Sequence, residues 1–186
     1  DGSSAGSFNT GVTGQFGEAY EFTGDGGVKL GTDIFDQYYS SGNSVSMNVW
    51  ITEDGAPTSG QDQKIFTVEG AYNIYSADDG NIYGFVTGTR SDQVGFSTSQ
   101  VTDGSFHMVT LTFDGSQQCI YLDATQQECS SASKYDITSL NRAVGIGTNY
   151  KALPDRIYTG KIDEPRISFD EAWSQSQIDS LYNSNS

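Results

Sequence analysis

Carboxylates are the most abundant reactive groups in this 186-residue chain. It has 24 acidic residues against nine Lys and Arg, and a formal net charge of −15. That charge repels nucleic-acid backbones and anionic membrane surfaces, so we expect neither as a partner. Seventeen of the acids are Asp, and short carboxylates in Gly-rich loops suit calcium, which prefers oxygen ligands. Solubility in concentrated salt is a second interpretation of the same acidity, and the two are compatible.

Two adjacent carboxylates, Asp163 and Glu164, stand where a strand pattern is interrupted. Between Gly160 and Phe169 the apolar positions are 162, 165, 167 and 169, so the period of two breaks once. This break predicts a β-bulge at Asp163 and Glu164, and bulges re-aim side chains. Two carboxylates re-aimed in this way could hold a metal ion. The alternative is a kinked edge strand with two solvated acids.

The only two cysteines, Cys119 and Cys129, flank a segment that reads as two strands around a turn. Facing positions on an antiparallel pair lie within disulfide reach, so we predict a hairpin disulfide. Direct pairing would centre the turn on Ala124, with an odd number of residues in the loop. Two free thiols are the alternative. A disulfide favours an extracellular or cell-surface location, as in a secreted protein.

Catalytic combinations of residues are scarce. His107 is the only histidine, and it falls in register with Val109 and Leu111 at a strand end, which is typical of a structural residue. Because this histidine already has a structural explanation, we expect no Ser–His–Asp triad. Glycosidases need two carboxylates about 5–10 Å apart, whereas Glu18 and Glu21 fall on opposite faces of their strand. We therefore expect no enzymatic activity.

Tyrosines are the remaining candidates for binding. An amphipathic ring on a rim loop can stack on a sugar while its hydroxyl stays in water. The alternative is that these rings cover the edges of the fold. The candidate ligand-binding residues are Tyr38, Tyr39 and Tyr150. Other tyrosines on or near turns are Tyr72, Tyr75 and Tyr83.

Strands must position these residues. Val45, Met47, Val49 and Ile51 alternate with a second set of residues, and this predicts a half-buried strand over residues 44–51. The second set is Ser44, Ser46, Asn48 and Trp50. A second clear strand covers residues 106–113. Weaker runs cover residues 19–22, 65–68, 72–75, 82–86, 94–96, 120–122 and 144–146. About ten short strands separated by turns predict an all-β fold, a two-sheet antiparallel jelly-roll sandwich.

One short helix is predicted near the C-terminus. Ser174 can cap it and Gln177 completes a capping box, while Trp173 can pack on Ile178 as a hydrophobic staple. Ile178, Leu181 and Tyr182 then share one face, so we expect the helix to close over the sandwich.

Residues 1–17 are rich in Gly, Ser, Thr and Asn, and we interpret them as an extended lead-in, with a single domain over residues 18–186. The sequence contains no run of about 18 apolar residues, as a membrane span would need. It also lacks the N-terminal pattern of a signal peptide. We therefore expect a mature form or an excised domain.

Several segments together resemble the laminin-G-like, concanavalin A-like jelly-roll domains. They are Thr13–Gly24, Val45–Ile51, Phe106–Gly115, Ile120–Asp123 and Gly160–Phe169, followed by the helix. The resemblance implies a structural calcium ion that joins the turn near Asp25 to the strand of Asp163. Three features depart from the family: the turn at Gly24–Gly27 has one acid, the hairpin turn is Asp123-Ala124 instead of Asp-Gly, and a first apolar strand is missing. The last departure could leave a sheet edge unpaired.

These observations predict a non-catalytic extracellular recognition module, calcium-stabilised, that binds glycans or a cell-surface partner. The alternative is a structural subunit of a surface filament or surface layer, which would assemble through an open N-terminal sheet edge.

Overall fold

The computed structural model describes residues 3–31, 44–58, 60–68, 71–86, 92–132, 143–149 and 156–184. The elements in these ranges are β1 (Ser3–Ala5), β2 (Phe8–Thr13), β3 (Glu18–Thr23), β4 (Gly27–Leu30), β5 (Val45–Glu53), β6 (Gln63–Val68), β7 (Tyr72–Ser76), β8 (Asn81–Phe85), β9 (Val94–Ser97), β10 (His107–Phe113), β11 (Gln117–Leu122), β12 (Thr125–Ser131), β13 (Val144–Ile146), β14 (Thr159–Phe169) and α1 (Gln175–Asn183).

The strands form two seven-stranded antiparallel sheets. The front sheet has the order β1-β4-β13-β6-β7-β8-β9, and the back sheet has the order β12-β11-β10-β5-β14-β3-β2. The buried core between them includes Met47, Val49 and Ile51 from β5 and Leu111 from β10. The predicted sandwich is therefore confirmed. The sequence did not predict three strands, because they are short or lack apolar alternation. They are β1, β2 and β4.

The sandwich starts earlier than residue 18. β1 pairs with β4 at the edge of the front sheet, and β2 pairs with β3 at the edge of the back sheet. The chain crosses between the sheets at Gly6, which has φ +73° and packs so closely on the carbonyl of Asp25 that a Cβ there would collide with it. A glycine permits this corner because it tolerates positive φ. The segment expected as a lead-in thus supplies one strand to each sheet.

β5 is buried on both faces, whereas the alternation predicted a half-buried strand. Ser46 and Asn48, on its outer face, are fully buried. The Ser46 hydroxyl donates to the Glu171 carbonyl at 2.9 Å and accepts from the Trp173 N–H at 2.8 Å. The C-terminal segment therefore covers Ser46 and satisfies its hydroxyl, whereas the Asn48 amide donates to the Thr110 hydroxyl of β10 at 2.7 Å.

The C-terminal helix forms as predicted. Ser174 and Gln177 make the reciprocal capping box, and Ile178 is fully buried. Ile178 packs in a back-face cluster with four residues of the back sheet, which are Trp50, Met108, Cys119 and Tyr121. The rings of Trp50 and Tyr182 stack with centroids 5.6 Å apart. Within the ranges given above, no helix is long and apolar enough to cross a membrane.

Cys119 and Cys129 face each other across β11 and β12 and form the predicted disulfide. The turn differs from the prediction. Asp123 and Ala124, both with positive φ, make a two-residue turn, and the odd residue is absorbed by a register shift after Ile120. Such a bulge lets a two-residue turn coexist with directly facing cysteines.

Candidate functional site

An aromatic cluster lies on the outer face of the front sheet. Its members are Tyr75, Ala77, Tyr83 and Phe85, from β7, β8 and the turn between them. Side chains alternate between faces along a strand, so these rings point outward while Ile74 and Ile82 enter the core. The Tyr75 ring lies 5.7 Å from Tyr83 and 5.9 Å from Phe85 by centroid distance. The alternation thus places a group of rings outside the core.

Tyr83 is the partly exposed aromatic residue of this cluster. Its hydroxyl donates to the Asp79 carboxylate at 2.9 Å, and the same carboxylate accepts from the backbone and the amide of Asn81, both at 3.1 Å. Burial and the bond to Asp79 both raise the pKa of Tyr83. The ring lies over Gly95, where a Cβ would collide with it. The bond to Asp79 and the contact with Gly95 fix the position of the Tyr83 ring, so the ring is preorganised for stacking on a ligand.

An ion cluster of Asp62, Lys64 and Arg156 adjoins the aromatic cluster. The Lys64 ammonium lies 4.1 Å from the centroid of the Tyr75 ring, a cation–π contact, and 3.7 Å from the Asp62 carboxylate. Arg156 Nη1 donates to the same carboxylate at 2.9 Å. Asp62 and Lys64 are buried, so these charges are fixed in position. Charged and aromatic groups thus run continuously from Arg156 to Tyr83.

A cavity of about 380 Å³ opens beside Arg156. Pro57 and Ile157 provide apolar walls, while Thr58, Gln61 and Gln63 provide polar groups. The side-chain oxygen Oε1 of Gln63 accepts from the Thr159 N–H at 3.1 Å and from the Thr159 hydroxyl at 2.9 Å. The cavity is within the size range of small-ligand sites, and polar side chains outnumber apolar ones in its lining.

Asp163 and Asp25, the expected calcium ligands, are not brought together. Tyr20 pairs with Ile162 and Thr23 pairs with Thr159, so Asp163 lies near the start of β3, whereas Asp25 follows its end. The three strand steps between these pairs alone span about 10 Å, but a calcium ion needs its ligands at about 2.3–2.6 Å. In the described part of the chain, no three His, Cys, Asp or Glu residues group as metal ligands. This pair of residues therefore does not fit a shared calcium ion.

Asp163 instead anchors the turn between β2 and β3. The predicted bulge is present, with a register shift after Asp163 and φ +47° at Glu164. The buried Asp163 carboxylate accepts from the N–H of Phe16 at 2.9 Å and of Glu164 at 2.8 Å. A Cβ at Gly14 would lie 2.5 Å from this carboxylate. These bonds hold the Phe16 ring edge-on to Trp50, with centroids 5.6 Å apart.

His107 joins two turns. Its Nδ1 lies 2.7 Å from Asp123 and its Nε2 lies 3.0 Å from Asp103. Burial opposes protonation of His107, but the hydrogen bonds to Asp123 and Asp103 outweigh it and raise the pKa. Both ring nitrogens are engaged by carboxylates, in keeping with the structural role expected from the sequence.

A buried carboxyl group lies at the end of β5. Glu53 is 3% exposed, and neither its oxygens nor the Ser76 hydroxyl has a hydrogen-bond partner by geometry among the described residues. Burial raises the pKa of Glu53 to about 8, although the nearby hydroxyls of Tyr158 and Ser76 favour its charged form. Glu53 is therefore mostly protonated at neutral pH.

The candidate tyrosines at 38, 39 and 150 lie outside the described residues. Sequence reasoning did not identify Asp62, Lys64 or Arg156, because Arg156 is 92 positions from Lys64 along the chain. An isolated bridge between Lys64 and Ile157 brings the two segments together. No local pattern reveals such a pairing.

The comparisons with known proteins identify the family. A model of the "Concanavalin A-like lectin/glucanases superfamily" matches residues 5–179. No curated protein matches the sequence.

Solved structures share the fold at low sequence identity. Domain 4 of AbnA, an extracellular family GH43 arabinanase from Geobacillus stearothermophilus solved with arabinotriose, is 17% identical, with a TM-score of 0.71 over 97% of this chain and 87% of that one. The binding domain of botulinum neurotoxin DC was solved with rat synaptotagmin II and with SialylT. These two structures are each 14% identical, with TM-scores of 0.70 and 0.72, and cover this chain completely. The chain spans just under half of those toxin chains, at 47% and 46%.

Proposed function

The chain belongs to the concanavalin A-like lectin/glucanase superfamily, and on that premise we propose that it is an extracellular, non-catalytic module that binds glycans through the outer face of its front sheet. The observation that carries the proposal is the Tyr83 ring, held over Gly95 and bonded to Asp79. An aromatic face stacks on the C–H face of a sugar, and adjacent carboxylates and amides bind its hydroxyls.

Relatives in structure support a binding role. The arabinanase domain was solved with arabinotriose, and the toxin binding domain was solved with SialylT and with rat synaptotagmin II. The Cys119–Cys129 disulfide supports an extracellular location, because cytosolic thiols are kept reduced. The arabinanase that supplies one relative is also described as extracellular.

The proposal is tested by a glycan array followed by titration calorimetry with the best oligosaccharide. Tyr83→Ala should weaken binding at least tenfold, since stacking of a ring on a ligand is lost. Tyr83→Phe keeps the ring and loses only the bond to Asp79, so it should retain most of the affinity.

Tyr20→Ala is the matched control. Tyr20 is 43% exposed but lies on β3 of the back sheet, so its loss should leave binding unchanged. If no glycan binds, or if Tyr20→Ala weakens binding as much as Tyr83→Ala, the proposed site is wrong. Release of reducing sugar from array-positive polysaccharides would contradict the non-catalytic part of the proposal.

Calcium binding stays a separate prediction. A bound ion would stabilise only the folded state and would raise the melting temperature by mass action. We expect Asp163→Asn to lower the melting temperature whether or not EDTA is present, because it weakens the bonds to Phe16 and Glu164. A melting temperature that responds to calcium in the parent but not in Asp163→Asn would instead identify Asp163 as a calcium ligand.

A further inference from the structure

The cavity beside Arg156 presents hydrogen-bond donors on a strained backbone. Arg156 has φ +55°, a conformation that a non-glycine residue rarely adopts. The strain is held in place because the Arg156 carbonyl accepts from the Lys64 N–H at 2.8 Å. Strained residues that the surrounding structure holds in place concentrate at functional sites.

The guanidinium of Arg156 is only partly engaged by the described part of the chain. A guanidinium carries five N–H donors in a planar fork, and among the described residues its hydrogen bond to Asp62 engages Nη1 alone. Asp62 also lies 3.7 Å from Lys64. The Arg156 side chain is 39% exposed, so donors of the fork remain available at the cavity.

Gln63 adds oriented donors to the same cavity wall. Its side-chain oxygen Oε1 accepts two hydrogen bonds from Thr159. These bonds fix the orientation of the side-chain amide. Within the described ranges, the Gln63 amide N–H groups have no hydrogen-bond partner in the protein. The wall therefore combines a guanidinium and an amide, and both groups donate.

From this arrangement we infer that the cavity is a subsite for the carboxylate of an acidic sugar. A planar carboxylate accepts two parallel bonds from a guanidinium, and Arg is the residue best suited to this recognition. Pro57 and Ile157 provide apolar walls that a pyranose ring can contact. The inference rests on the proposed function, because it names the class of glycan that the front sheet selects.

The test compares matched oligosaccharides that differ only in charge. The probes are an oligogalacturonate and its methyl ester, and sialyllactose and lactose, titrated into the full chain at fixed ionic strength. We expect at least one acidic probe to bind about tenfold more tightly than its neutral partner, which corresponds to about 1.4 kcal/mol. Arg156→Gln should reduce that preference to less than threefold while leaving the neutral probe unaffected.

Two further variants separate recognition from folding and from net charge. Arg156→Lys keeps a cation near Asp62 but loses the planar fork, so it should fold normally and still lose most of the preference. Lys161→Gln removes the same charge from the back sheet and should leave the preference intact. Circular dichroism melting checks that each variant is folded.

The outcomes distinguish the two proposals. Equal binding of acidic and neutral probes, with Tyr83→Ala still reducing both, overturns the acidic subsite and leaves glycan binding standing. An equal loss of preference in Lys161→Gln would mean that net charge, not the cavity, selects acidic sugars, and it also overturns the subsite. Binding of none of the probes or array glycans overturns both proposals.

Discussion

Aromatic residues on the two outer faces of the sandwich differ in how far they are covered by the rest of the chain. On the back sheet, Trp50 is 3% exposed and is covered by Phe16 and by Tyr182 of α1. On the front sheet, Tyr83 stays partly exposed and is held by Asp79. The difference is one of exposure, because α1 covers Trp50 on the back sheet, whereas on the front sheet Tyr75 and Phe85 are buried and only Tyr83 of the described cluster keeps part of its ring exposed. The covered back face contributes to stability, and under the proposed function the exposed part of Tyr83 is where a glycan would stack.

Removing the back-face aromatic should produce the largest effect on stability. Trp50→Ala leaves a cavity beneath α1 and should lower the free energy of unfolding by about 3–5 kcal/mol. Tyr83→Ala should cost about 1–2 kcal/mol, since it loses one hydrogen bond and partial burial. Urea unfolding followed by circular dichroism measures both. Equal losses from the two variants would contradict the division between the faces, and Trp50→Phe is the conservative control.

The disulfide should contribute to the same covered face. Cys119 belongs to the back-face cluster, and the bond closes a short loop with a sequence separation of 10. Replacing both cysteines by Ser should lower the free energy of unfolding by about 3 kcal/mol, mainly by releasing the unfolded chain. Mass spectrometry of the native protein should find no free thiol. A native protein that alkylates at either cysteine would contradict the pairing.

The core between the two faces should respond to pH through Glu53. Its pKa rises from 4.5 to about 8 on folding, so its contribution to stability is full below pH 4.5 and declines as the pH rises towards 8. Glu53→Gln should raise the free energy of unfolding at pH 7 by up to about 3 kcal/mol, since one pKa unit equals about 1.4 kcal/mol. Urea midpoints at pH 4 and pH 7 measure the change. A gain of the same size at both values would exclude ionisation as its cause.

The smallest effect should come from His107, at the border of the back sheet. Its pKa is raised in the folded state, so the bonds to Asp123 and Asp103 stabilise the fold below pH 6.5 and weaken as the pH rises through the folded pKa. His107→Gln should therefore lower the melting temperature at pH 5.5 more than at pH 8.5. Glu53→Gln as background separates the two titrations. An equal loss at both pH values would remove the electrostatic interpretation.

Local patterns determined much of the fold from the sequence. The alternation in β5, the capping box at Ser174 and Gln177, and the interrupted period at Asp163 each depend on residues close together in the chain. Such signals depend on the dihedral angles and faces of one element, so they can be recognised without knowing which elements pack against it. The disulfide belongs to the same class, because the two cysteines flank one hairpin.

Only the tertiary structure decided which residues meet. The register of β3 against β14 separates Asp25 from Asp163, and the bridge of Lys64 to Ile157 brings Arg156 to Asp62. The hydrogen bonding of buried Ser46 likewise depends on a C-terminal segment more than 120 residues away. Pairing between distant strands is set by packing of the whole core and not by local propensity, so no local pattern encodes it.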